Sequence, residues 1–108
     1  MKVFLSKEFM SRLDDLHAYI LEDSRSMNVA DDVIDSILNN ISILGVFPQA
    51  GKALVREDGT EAGTMYIVFD PYIMTYEIMD NTVFVSNIID TRTKEWAELQ
   101  GKYVSEHD

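Results

Sequence analysis

An α+β domain, its antiparallel sheet covered on one side by a helical hairpin, is the fold that this 108-residue sequence predicts. Three observations carry the prediction. Apolar residues recur at helical spacing between Phe9 and Leu44. Runs rich in Val, Ile, Tyr and Phe take over between Met65 and Ile89. The helices come first and the strands later, whereas strict alternation would signal a parallel sheet. The length suits one domain, read as residues 1–104 with a frayed tail over 105–108, and an apolar content of 46% is enough for a continuous core.

Val3, Phe4 and Leu5 make a short strand-forming run that ends at Ser6, a residue able to cap a helix. From Lys7 onward, Phe9, Leu13, Leu16 and Ile20 fall at steps of four, three and four on one stripe, widened by Met10 and Leu21. That spacing predicts a helix to about Asp23. SRSMN interrupts it, and Asn28 is the expected cap of a second helix, with Asp31 and Asp32 facing the positive end of its dipole. Ala30, Ile34, Ile37, Ile41 and Leu44 form the second stripe, and Gly45 with Pro48 marks its end.

After Pro48 the period changes. A short strand is expected from Ala53 to Arg56, closed by Asp58 and Gly59. MYIVF, bounded by Gly63 and the Asp70–Pro71 turn, reads as the next strand. YIMTYEIM and TVFVSNII, joined by Asp80 and Asn81, are the clearest hairpin in the chain. TKEWAELQ is helix-like, with Gly101 as its stop. The expected sheet is three- to four-stranded and antiparallel, preceded by the N-terminal strand and followed by a short C-terminal helix.

The charge narrows the function. Nineteen acidic residues against nine basic ones give a net charge of -10, which opposes binding to free DNA or RNA by electrostatic attraction. With no cysteine, thiolate metal sites and cysteine nucleophiles are excluded. His17 and His107 are the only imidazoles. The pairs Asp14–Asp15 and Asp31–Asp32 point about 100° apart on a helix and cannot chelate together, so no metal and no cofactor is expected. The apolar start MKVFLSKEF is broken by Lys7 and Glu8, too early for a signal sequence or a membrane span. A cytoplasmic protein without a membrane partner is the expectation.

Three landmarks carry a family resemblance: ILGVFPQAGKAL at the end of the helical hairpin, YIMTYEIMDNTVFVSNII, and DTR at Asp90 to Arg92. In these the sequence resembles the RelE/ParE superfamily of toxins from bacterial type II toxin–antitoxin modules. The resemblance implies a toxin of a plasmid-stabilisation or addiction module, held inactive by a cognate antitoxin that wraps its surface. One branch of the superfamily cleaves messenger RNA in the ribosome; the other poisons DNA gyrase.

RNA cleavage needs a group to activate the ribose 2′-hydroxyl, cations for the pentavalent phosphate and a proton for the leaving oxygen. Many relatives place an arginine in the strand that corresponds to YIMTYEI, where this chain has Ile73 and Glu77. Lys52, Arg56, Arg92 and Lys94 remain as basic residues near the second and last strands. Tyr103 lies further out than a residue directly after the last strand. The expectation is therefore ParE-like action by binding. The enzymatic alternative is a ribosome-dependent endoribonuclease with Arg56 and Arg92 as catalytic residues. A third reading is a non-toxic member that only pairs with a regulator.

Lys52, Tyr66, Tyr72, Tyr76 and Lys94 are the candidate partner-binding residues. Most of the candidate residues have a plainer use. Arg92 can pair with Asp90 or Glu95, and Arg56 and Lys52 can be solvated charges on an edge strand. Tyr72 and Tyr76 share a strand face and suit packing against the helical hairpin. His17 beside the first stripe suits a half-buried structural role, and Met65, Met74 and Met79 suit a core.

Overall fold

Ser6 sets the first boundary in the chain. In a computed structural model, which describes residues 1–56, 58–102 and 104–105, its extended backbone ends strand β1 (Lys2–Leu5). Its Oγ accepts from the Phe9 amide at 3.0 Å and caps helix α1 (Lys7–Ser24). Arg25, in the left-handed region at φ 55°, closes α1 through its amide to Leu21 O. Helix α2 (Met27–Val46) follows at once. Its cap is Ser26, whose Oγ accepts from the Val29 amide at 3.2 Å, and not Asn28, which lies within the helix. Asp31 and Asp32 consequently fall beyond the first turn. Asp31 meets His17 Nε2 at 2.8 Å instead, which ties α2 to α1 and gives His17 its structural use.

Gly45 does not stop α2, which continues to Val46. Its lack of a side chain serves packing: a Cβ there would stand 3.1 Å from Val3 Cγ2 and 3.2 Å from Met1 O. The Met1 ammonium donates to Gly45 O at 3.0 Å on the same seam.

The remaining elements are β2 (Lys52–Val55), β3 (Glu61–Phe69), β4 (Tyr72–Met79), β5 (Thr82–Asp90), α3 (Lys94–Lys102) and β6 (Val104–Ser105). They join β1 in a six-stranded sheet of order β1-β5-β4-β3-β2-β6. Every pairing is antiparallel except β1 with β5, which the α1–α2 crossover allows to run parallel, Val3 beside Val83. Asp80 and Asn81 have φ 50° and 59°, the paired left-handed residues of a tight hairpin turn. β3 begins at Glu61, earlier than MYIVF suggests, and crosses Gly63 at φ 85°. At the other end, α3 continues over Gly101, and Val104–Ser105 pair with the outer edge of β2, so that Ser105, the first residue of the expected tail, is paired. The expectations for Tyr103, His107 and the rest of the tail lie outside the described residues.

Alternation along the strands sorts the two faces. Toward the hairpin, Tyr72, Met74, Tyr76, Val83, Val85 and Ile88 pack against Phe9, Leu13, Ile37, Ile41 and Leu44, with Met65 beside them. A bulge makes this possible. Thr75 pairs with Asn87 and Tyr76 with Val85, so Ser86 is the extra residue that lets both Val85 and Ile88 face inward. On the opposite face Leu54, Tyr66 and Ile73 form a second, smaller cluster covered by Trp96 of α3. Met79 is exposed. Among the described residues no helix is long and apolar enough to cross a membrane.

Candidate functional site

The sheet face turned away from the hairpin is the natural place for a site, because among the described residues only α3 covers it. Trp96 seats α3 there, its ring 6.2 Å from that of Tyr66. A second attachment comes from α1: Arg12 donates to both carboxylate oxygens of Glu95, at 2.6 and 2.8 Å, and to Ile88 O at 3.2 Å. The bidentate fork holds the Glu95 carboxyl below the usual carboxylate range and raises Arg12 in turn.

Between α3 and the strands lies a cleft of about 440 Å³. Thr64, Thr75, Ser86 and Asn87 supply its polar lining, and Glu8, Glu95 and Glu98 its charge. No Lys, Arg or His lines it among the described residues. The Thr75 and Ser86 hydroxyls bond to each other at 2.8 Å, and Ser86 Oγ also reaches Thr75 O, so neither faces a general base. The carboxylates suit cations and repel a phosphodiester, and the neutral hydroxyls do not offset that charge. No group of three or more His, Asp or Glu among the described residues could hold a metal ion.

Arg56 and Arg92 do not meet. Arg56 follows β2 at the end of the sheet where β3 begins and the Asp80–Asn81 turn lies; Arg92 follows β5 at the opposite end, beside Tyr72. The full length of β4, 8 residues, separates those ends, about 26 Å at the usual strand rise. Each is also occupied locally. Arg92 holds Asp90 through Nε at 3.0 Å and Nη2 at 2.7 Å, which depresses the Asp90 carboxyl. Arg56 donates to Thr60 Oγ1 and Glu61 O. Arg92 has its plainer use, the pair with Asp90; Arg56 is exposed, but β2 before it is not an edge strand, because β6 pairs on its outer side.

The tyrosines need correction as surface contacts. Tyr76 is 0% exposed, Tyr66 2% and Tyr72 8%. Pleating points Tyr72 and Tyr76 into the hairpin core, and Trp96 lies over Tyr66. The Tyr76 hydroxyl has an internal task, donating to Pro48 O and accepting from the Gly51 amide, each at 2.9 Å. Lys52, beside Tyr66 in the register, and Lys94, in the first turn of α3, remain exposed. They are the exposed members of the candidate set.

The Arg12–Glu95 bridge was not foreseen, and separated by 83 positions it leaves no local signal in the sequence. Because Glu95 is depressed in the folded state, its contribution is complete above the ordinary glutamate pKa of about 4.3 and is lost as pH falls through the lower folded value. The pair is partly exposed, so Glu95→Gln is expected to cost no more than about 1 kcal/mol at pH 7. Urea unfolding at neutral and acid pH checks the sign: the variant should lose less stability than the parent on acidification.

Comparison with known proteins places this geometry. The family model described as "ParE toxin of type II toxin-antitoxin system, parDE" matches residues 3–95. A solved chain of the chromosomal ParDE TA system from P. aeruginosa has the same fold, with a TM-score of 0.68 at 12% identity over 83% of this chain and 95% of that one. No curated protein matches in sequence. The family match spans β1 to the start of α3 and agrees with the resemblance carried by the hairpin and strand landmarks: the chain belongs to the ParE toxin family of type II toxin–antitoxin systems.

Proposed function

We propose that this toxin acts by binding, with DNA gyrase as its target in the cytoplasm, and that a cognate antitoxin neutralises it by covering the face built from the sheet and α3. One observation carries the choice of binding over cleavage: the cleft on that face has three carboxylates and no cation among the described residues. Cleaving RNA would require positive groups converging on the scissile phosphate. The two arginines best placed in sequence to supply them stand at opposite ends of β4 and are already engaged. A binding mechanism has no such requirement, and exposed Lys52 and Lys94 can serve at the rim of a protein interface.

The test is growth inhibition by the chain expressed without its antitoxin. The double variant Arg56→Ala with Arg92→Ala is expected to inhibit growth within about twofold of the parent, and co-expression of the protein encoded by the adjacent open reading frame is expected to restore growth and to co-purify. Loss of inhibition in a double variant that remains folded contradicts the binding reading and favours the ribonuclease. Harmless accumulation of the parent chain contradicts toxicity altogether and favours a member that only pairs with a regulator.

A further inference from the structure

Arg12, which fixes Glu95 beside the cleft, also borders a second cavity of about 420 Å³ between α1 and the end of β5. Leu16 and Ile88 give it apolar walls, Tyr19 and Tyr72 aromatic ones, and Asp15 and Asp90 carboxylates. Tyr72 is buried over most of its ring, while its hydroxyl, which has no hydrogen-bond partner among the described residues, keeps accessible surface. An accessible phenol in the wall of a cavity can exchange a hydrogen bond with water for one with a ligand atom.

The charges decide which ligand. Both guanidinium groups nearby are taken, Arg12 by Glu95 and Arg92 by Asp90, each through two bonds. An anion would have to pull one of them from its carboxylate. Asp15, by contrast, is exposed and has no partner among the described residues. A cation entering the cavity meets that free carboxylate, the phenol oxygen of Tyr72 and the ring of Tyr19, which is 63% exposed. The apolar walls suit a methylene stem behind the charged head. Among cations, a planar guanidinium both stacks on an aromatic ring and forks onto a carboxylate.

We propose that this cavity is an anchor site for an arginine side chain presented by a protein partner. Naming the antitoxin as that partner rests on the function proposed above; the chemistry of the site does not. An overall charge of -10 makes a basic partner segment the complementary one.

Two measurements test it. In an NMR titration of the full chain, N-acetyl-arginine N-methylamide is expected to bind in the millimolar range and to shift signals of Tyr19, Tyr72 and Ile88. The isosteric, uncharged citrulline amide should bind at least tenfold more weakly, and Asp15→Asn and Tyr19→Ala, both exposed positions, should each weaken the arginine amide threefold or more. Equal binding of citrulline, or shifts elsewhere on the surface, overturns the site. With the co-purified antitoxin, Asp15→Lys is expected to raise Kd tenfold or more. Unchanged affinity in that variant overturns the anchor, whereas an antitoxin that fails to bind the parent chain overturns the functional proposal alone and leaves the amide titration to decide the site.

Discussion

Gly51→Ala is expected to destabilise the fold by about 3 kcal/mol, at the upper end of the cost of overpacking a filled site, and to lower Tm by roughly 15 °C. A Cβ at residue 51 would stand 2.5 Å from Tyr66 O and 2.5 Å from Tyr76 Oη, with Tyr76 Cε1 at 2.9 Å. One of those neighbours is backbone in the middle of a sheet and the other a fully buried ring, so neither can retreat cheaply. The Gly51 amide also donates to the same hydroxyl. Tyr76→Phe separates the two contributions: it keeps the ring and strips Pro48 O and the Gly51 amide of their shared partner, at an expected cost of about 1–3 kcal/mol. Thermal unfolding of both variants checks the ordering, with the glycine variant the less stable. An alanine variant as stable as the parent would mean that the turn before β2 does not lie against Tyr76.

Phe9→Ala should cost more still, about 3–5 kcal/mol. Phe9 is 0% exposed and belongs to the cluster that joins α1 to Val83, Val85 and Ile88 of β5. Truncation leaves a cavity that Leu13, on the next turn of α1, and Leu44 of α2 cannot collapse to fill without moving the helices. Since a domain of this size has a total stability of only about 5–15 kcal/mol, the variant should sit near its unfolding threshold. Urea unfolding is the measurement: the midpoint should fall sharply with little change in slope. A loss under about 1 kcal/mol would contradict the seating of α1 on the sheet.

These two residues illustrate what the sequence makes legible. Phe9 could be placed from spacing alone, because a four-three-four recurrence has one reading on a helix, and the β4–β5 hairpin could be placed because its turn residues and strand formers agree. Gly51 could be assigned to a turn, but the reason it is glycine is an approach by a tyrosine 25 positions away. The parity of Tyr72 and Tyr76 was visible, whereas the fact that all three candidate tyrosines are covered depends on which face receives the hairpin and which receives Trp96. The separation of Arg56 from Arg92 is likewise a property of strand order and direction, which spacing along the chain does not encode. The acidic character of the cleft is the exception. It follows from a composition already evident in the sequence, concentrated where α1 and α3 each bring glutamates to one edge of the sheet.

The binding mechanism is tested most directly by the supercoiling activity of purified DNA gyrase in the presence of the purified chain. Inhibition that rises with the amount of toxin, persists in the Arg56→Ala, Arg92→Ala double variant and is relieved by the antitoxin is the predicted result. Gyrase that supercoils normally, alongside messenger RNA cut in the ribosome by the same preparation, would contradict it.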